Sequence, residues 1–388
     1  MPTRILGRFR GECVLVACIA CAPPMHDNGG LASACGEASP APSLVLVDSV
    51  PLVESDTTFL GNPAVTFTVG PDGRFHIPDR GSNRILQYSA RGDFLGVVGG
   101  HGGGPGEFRS IGYVGLISSG RLWQNDYSLR RLSGYDSAGN PVRDIPYAGR
   151  LSHLNEGRHG IWAGLADHAL GLAVGTFDSL LGEDSLVASI VALPAEYRDY
   201  PLLRYWDEVR VVESADGIVV GFGGLDYLVA YDINGHPTDT VWIPACRRHG
   251  SPRQVLDAGF RHPPRNAEEE RRTMEYETQI STLLGLWRLS DGQILAWYQD
   301  SWRDEARIIR STAYLSLLSP DLRRACVDAP LTGVESEKAV LAVRDDNVHQ
   351  LDQVVGGPGT GAQIRTVIRR YALDTTNCDW LPTTRRPS

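Results

Sequence analysis

Short runs of apolar and β-branched residues, broken every few positions by glycine, aspartate or asparagine, fill the chain from about residue 43 onward. Arg84 to Tyr88, Gly217 to Val220 and Thr366 to Tyr371 are examples: too short for a helix, rich in Val, Ile and Tyr, and bounded by turn residues. They predict strands. The turns between them recur. A turn pair followed by a strand occurs at Asp72-Gly73, Ser119-Gly120, Asp167-His168, Asp216-Gly217, Asp291-Gly292 and Asp345-Asp346, at spacings of 47, 48, 49, 75 and 54 residues. A second marker, an aromatic ending a strand, occurs at Tyr88, Tyr135, Tyr231 and Tyr371. Tyr88 to Tyr135 is 47 residues and Tyr135 to Tyr231 is 96, two repeats, with Ile190-Val191-Ala192 taking the aromatic's place in the third. Two markers give one period near 48. A period of about 40 to 50 residues built from short strands indicates a β-propeller with one four-stranded blade per repeat. Six turn markers predict an all-β, six-bladed propeller over residues 43–388.

The long spacing of 75 residues has a helical cause. Asn266 to Leu284 follows Pro263-Pro264, with Asn266 placed to cap and Glu268, Glu269 and Glu270 in the first turn, where the helix dipole favours anions. Met274, Ile280 and Leu284 give it a sparse apolar face. The pattern predicts one inserted helix between blades four and five, within about residues 264–284. A propeller must also close its ring. The strand-like residues 44–50 precede the first blade and are otherwise without a partner, so they are expected to pair with the last blade, beside residues 366–382.

One stretch carries a family resemblance. Asp79-Arg80-Gly81-Ser82-Asn83-Arg84-Ile85-Leu86-Gln87-Tyr88, then Gly92, then Gly103-Gly104-Pro105-Gly106-Glu107-Phe108 closely resembles an NHL repeat. The match is strong in the first blade. It is partial in the second, where Gln124-Asn125-Asp126-Tyr127 and Tyr135-Asp136-Ser137-Ala138-Gly139 survive, and weak elsewhere. The chain looks like the exported six-bladed propellers of bacteria. The resemblance implies either a non-catalytic binding module or an enzyme of lactonase-like, strictosidine synthase-like or peptidyl-amidoglycolate-lyase-like type, because one fold hosts many functions.

Composition narrows the setting. Among 388 residues the formal charge is -9 and the pI near 5.6, which argues against a nucleic-acid partner. Lys338 is the only lysine, so lysine Schiff-base chemistry is not expected. Arg4, Arg8 and Arg10 precede an apolar run from Cys13 to Cys21, too short to span a bilayer. Residues 1–21 therefore predict an export signal. Leu15-Val16-Ala17-Cys18 resembles a lipobox, with Cys18 the expected lipid attachment point and Cys21 the alternative. Residues 22–42, rich in Ala, Pro, Gly and Ser, predict a flexible tether. The expected location is the cell envelope, lipid-anchored at the outer membrane or periplasmic face, with secretion the second choice. An oxidising compartment permits a disulfide among Cys246, Cys326 and Cys378, with the pairing open.

Candidate chemistry follows from the strand order. Loops joining second to third strands, and connections between blades, share one face. Acidic residues fall there in five of the six blades: Asp79; Asp126; Asp178, Glu183 and Asp184; Asp226; Asp300, Asp304 and Glu305. Tyr127, Tyr227, Tyr298 and Trp302 accompany them, as do His101 and Glu107. This predicts an acidic rim that binds a cation, a basic ligand or a protein. Asp79, His101, Glu107, Asp126, Tyr127, Asp226, Asp300 and Trp302 are the candidate ligand-binding residues. The alternative is that each Asp caps its own turn. Gly99 to Gly106 and Gly356 to Gly361 lack the lysine and strand-to-helix setting of a nucleotide loop and are expected to be crossings. No G-x-S-x-G or H-E-x-x-H motif occurs, and no histidine recurs at matched blade positions. The expected function is a membrane-tethered extracytoplasmic module binding a protein or small-molecule ligand. The alternative is a hydrolase or lyase using Ca or another divalent metal in the central channel, with His101, Asp79 and Asp126 its candidate ligands.

Overall fold

The computed structural model describes residues 41–387 except 56–57, 65, 118–119, 148–149, 168–170, 178–185, 207, 304–308, 332–338 and 356–363. The chain opens with β1 (Ser43–Pro51). Blade one is β2 (Thr68–Val69), β3 (Phe75–Asp79), β4 (Arg84–Tyr88) and β5 (Phe94–Val98). Blade two is β6 (Ile111–Leu116), β7 (Leu122–Asp126), β8 (Arg131–Tyr135) and β9 (Pro141–Pro146). Blade three is β10 (Arg150–Gly157), β11 (Gly160–Asp167), β12 (Leu172–Phe177) and β13 (Leu186–Ala192). A short helix α1 (Glu196–Asp199) and a 3-10 helix (Pro201–Trp206) lead to blade four, with β14 (Val209–Glu213), β15 (Ile218–Phe222), β16 (Tyr227–Tyr231) and β17 (Pro237–Trp242). Helices α2 (Arg253–Gly259) and α3 (Ala267–Glu277) precede blade five, with β18 (Ser281–Arg288), β19 (Ile294–Arg303), β20 (Ile309–Leu318) and β21 (Arg324–Pro330). Blade six takes β22 (Leu341–Arg344), β23 (Asn347–Val355) and β24 (Ile364–Asp374). The C-terminal strands β25 (Leu381–Pro382) and β26 (Thr384–Pro387) join blades five and four.

Every sheet is antiparallel and the protein is a six-bladed β-propeller. The first strands of neighbouring blades stand side by side around the axis, β2 with β22 and β6, β6 with β10, β10 with β14 and β14 with β18. Among the described residues the buried apolar side chains form six clusters, one in each gap between blades. A blade therefore buries both faces, which is why β14 and β15 read as continuous buried runs rather than alternating ones. Ring closure is as expected: β1 pairs with β24 from Ser43–Asp374 to Pro51–Val367 and becomes the outer strand of blade six. Gly92 is needed there. It sits at φ 88°, and a Cβ on it would lie 2.1 Å from the Pro51 carbonyl oxygen.

Several expectations are corrected. The insertion holds two helices, not one. Asn266 does cap α3, its side chain accepting the Glu269 N–H at 2.9 Å, but the helix ends at Glu277. Ile280 is buried in a core cluster and Leu284 belongs to β18, because the apolar run after Thr278 is consumed by the inner strand of blade five. In blade three the first turn is Arg158-His159, between β10 and β11, and Asp167 ends the second strand. The aromatic ending its third strand is Phe177, whereas Ile190-Val191-Ala192 lie in the fourth. Beyond Asp374 the chain leaves blade six and covers the outer edges of blades five and four. One disulfide pairs Cys326 of β21 with Cys378 of this tail, and Cys246 is disulfide-bonded as well. The signal, its Cys18 and Cys21, and the tether to residue 40 lie outside the described residues.

Candidate functional site

Four carboxylates of the expected acidic rim turn inward. Asp79, Asp126, Asp226 and Asp300 are all buried. Asp79 ends β3, and its Oδ1 accepts the N–H groups of Asn62 at 2.7 Å and Gly81 at 3.3 Å while Oδ2 accepts the Ser82 hydroxyl at 2.5 Å. Asp126 ends β7 and accepts the N–H groups of Arg109 at 2.7 Å and Leu129 at 3.0 Å. Asp226 accepts from Ser251 N–H at 3.4 Å, and Asp300 from His249 N–H at 2.9 Å and the Ser281 hydroxyl at 2.5 Å. Burial raises the Asp300 carboxyl above its ordinary range, with the Ser281 and His249 contacts acting against that. A strand end at Asp79 and Asp126, the turn before β16 at Asp226 and the interior of β19 at Asp300 place these carboxylates beside turn and interblade donors, a capping role. Glu107 likewise accepts the Gly104 N–H at 2.7 Å, closing its own glycine-rich crossing.

The remaining candidates are dispersed. His101 is exposed, with Nδ1 3.4 Å from Asn83 Nδ2. Trp302 is exposed on β19 of blade five. Asp178, Glu183, Asp184, Asp304, Glu305 and Gly356 to Gly361 lie outside the described residues. Among the described residues no three His, Cys, Asp or Glu side chains converge in a metal-binding arrangement, so Asp79, His101 and Asp126 are not brought together as one.

Among the described residues, arginines also face outward on this rim. Arg80 follows the inward Asp79, Arg109 follows the buried Phe108, and Arg150 opens β10. With Asn83, Ser110, Ile111 and Tyr127 they line an open groove of about 670 Å³ across blades one, two and three. Arg80 and Arg109 are exposed, and their side chains form no ion pair or hydrogen bond among the described residues. Tyr127, the one candidate that remains in this site, is 37% exposed. Its ring lies over Gly112, where a Cβ would meet it at 2.6 Å. Arg150 sits 5.7 Å from the ring centroid and pairs with Glu208 at 3.1 Å. Asn83 links the blades under the groove: at φ 50° it accepts the Ile111 N–H through Oδ1 at 3.2 Å. A count of acidic residues by loop misses this arrangement, because it does not tell which side chains turn into the backbone. The signal available was the Asp79-Arg80 pair, since an Asp that caps its turn leaves its neighbour pointing away.

The first strands enclose the central channel. A cavity of about 330 Å³ is lined by the first strands of all six blades, including Thr66 to Val69, Tyr113, His153 to Glu156, Arg210, Trp287 and Ala342 to Arg344. Burial, reinforced by the Arg210 charge, lowers the His153 pKa to about 3 and so keeps the ring neutral.

Neither a protein-family profile nor a curated protein sequence matches the chain. Solved structures are similar in fold. A member of the DUF4221 family from Bacteroides vulgatus superposes with TM-score 0.58 at 11% identity, over 87% of this chain and 99% of its own. An exported protein from Bacteroides fragilis gives TM-score 0.55 at 10% identity, over 87% and 97%. Virginiamycin B lyase from Staphylococcus aureus gives 0.46 at 10% identity, over 84% and 99%. At these identities the likeness is one of fold, that of the six-bladed propeller.

Proposed function

We propose that the chain is an extracytoplasmic binding module, tethered to the membrane through its lipidated N-terminus, that captures an anionic ligand in the arginine-lined groove without transforming it. The observation that carries this reading is the pair Arg80 and Arg109, exposed and without partners among the described residues, flanking the exposed ring of Tyr127 in one open groove. Guanidinium groups recognise carboxylates by paired N–H donors, and an exposed tyrosine gives a flat surface for a ring. An open groove lined from three blades suits an acidic saccharide or another anionic chain better than a compact substrate. The local charge is opposite to the net charge of -9, so the groove is the place to which an anion is steered. The metal-dependent alternative has less support, because no cluster of three ligating side chains forms among the described residues. Galacturonate oligomers serve as the probe, titrated calorimetrically. They should bind more tightly at low salt than at high salt, and an Arg80→Ala/Arg109→Ala variant should lose at least tenfold in affinity. Equal binding of the fully methyl-esterified, neutral oligomer would sink the reading.

A further inference from the structure

We propose that the central channel is a second binding site, separate from the groove, for a small monocarboxylate with an apolar body. The argument begins with Arg210 on β14. Its side chain is buried, it lines the channel cavity, and its Nε has no hydrogen-bond partner. One terminal nitrogen donates to the Ser152 carbonyl, which carries no full charge. The neighbouring carboxylate, Glu208, is engaged with Arg150 at 3.1 Å. A buried cation whose neighbouring carboxylate is paired to another arginine is unfavourable, and an anion in the cavity would relieve it.

Three other polar side chains of the lining have an acceptor used and a donor left. His153 Nδ1 accepts the Val211 N–H at 3.2 Å, so a neutral ring carries its proton on Nε2. Tyr113 Oη accepts the Leu154 N–H at 3.2 Å, leaving its own O–H to donate. Asn155 Oδ1 accepts the Glu213 N–H at 3.3 Å, leaving the amide NH₂. All three residues line the same cavity as Arg210, and the rings of Tyr113 and His153 meet edge to face at 6.1 Å. A donor-rich wall with one fixed positive charge is what a carboxylate requires.

The remaining lining fixes the rest of the ligand. Leu116, Leu284, Val343 and Trp287 are apolar. The Trp287 ring covers Gly285, where a Cβ would approach it to 2.1 Å, and it stacks on Trp297 at 6.3 Å. Glu156 and Arg344 lie toward the ends of their strands, so the carboxylate head belongs at Arg210 and the body against Trp287 and the leucines. A volume of about 330 Å³ is at the lower end for small-molecule sites, about 300–1,000 Å³.

Benzoate and hexanoate are the probes, followed by tryptophan fluorescence and calorimetry on the whole protein. Both should bind with a change in tryptophan emission. Benzamide, the neutral counterpart of benzoate, should bind at least tenfold more weakly, a comparison that needs no variant. Arg210→Gln should lose at least tenfold for benzoate, and Leu116→Phe, which fills the cavity, should also weaken it. The proposal is overturned if the wild-type protein binds neither carboxylate, if benzamide equals benzoate, or if Arg210→Gln folds and keeps the wild-type affinity.

Discussion

Arg248 and Asp328 form an ion pair, Nε to Oδ1 3.1 Å, in which neither side chain is exposed at all. Asp328 also accepts the backbone N–H groups of Cys246, Arg247 and Arg248, and the Arg248 guanidinium lies 4.0 Å over the Tyr298 ring. The segment leaving β17 is thereby pinned to the outer strand of blade five, just before α2 and α3 depart. Removing one partner leaves the other charge buried and alone, a loss of about 3–5 kcal/mol. Asp328→Asn keeps the left-handed backbone, φ 58°, that asparagine tolerates, so it isolates the charge. Urea unfolding should show that loss. The double variant Asp328→Asn/Arg248→Met should recover part of it. A double variant no more stable than Asp328→Asn would show that the unpaired charge is not the source.

The Cys326–Cys378 disulfide, with Cα atoms 5.7 Å apart and a sequence separation of 52, holds the tail that supplies β25 and β26. Thr383 Oγ1 donates to the Leu322 carbonyl at 2.6 Å, and Arg385 pairs with Asp239. Closing a loop of that length is worth about 4 kcal/mol in the chain-entropy account. Reduction should lower the thermal midpoint and open the last ten or so residues to proteolysis, while the far-ultraviolet circular dichroism of the blades is retained. A tail equally protected in both redox states would show that strand pairing alone secures it.

The propeller was legible because its signals are local. Asp72-Gly73, Asp216-Gly217 and Asp291-Gly292 each turn the chain between the first two strands of a blade, and Gly73 and Gly292 sit in the left-handed region at φ 76° and 86°, with Gly217 near-extended at 159°. The ring closure by β1 followed from an orphan strand and the need to close. Blade three was misregistered because Asp167 falls at the expected spacing but on the next loop, and a period cannot tell one turn of a hairpin series from another. The tail was not legible. β25 has two residues, and its partners lie more than fifty positions away in β21. The groove was legible only in outline: the loops were assigned to one face, but its charge was inferred from residues whose side chains turn inward.

That distinction between inward Asp and outward Arg can be tested at neighbouring positions. Asp79→Ala leaves the N–H groups of Asn62 and Gly81 without their acceptor and should destabilise the fold by about 1–3 kcal/mol. Arg80→Ala, one residue on, should change stability by no more than about 0.5 kcal/mol. Millimolar Ca²⁺ should not raise the melting temperature through Asp79, since both of its oxygens are already hydrogen-bonded. A Ca²⁺-dependent rise that disappears in Asp79→Ala would restore the cation site expected from sequence.

Acid should act through three buried histidines. Burial lowers His76 and His349 from the ordinary 6.5 to about 4, and His153 to about 3. An unfolded chain takes up protons at these rings as pH falls through about 6.5, while the folded protein does not until about 4. Between those values the unfolded state binds more protons, so stability falls as pH falls, by about 1.4 kcal/mol per pH unit for each histidine. Asp300 and Asp352, raised by burial, act in the opposite sense just above the ordinary carboxylate range, and they are common to any pair of histidine variants. The difference between proteins therefore isolates the ring. His76 Nδ1 accepts from Gln87 Nε2 at 3.2 Å, a contact a glutamine can approximate. Unfolding free energies measured in urea from pH 6 to pH 5 should depend less steeply on pH in His76→Gln, by about 1.4 kcal/mol per unit. An unchanged slope would mean that His76 protonates within the fold, against the burial that holds it neutral.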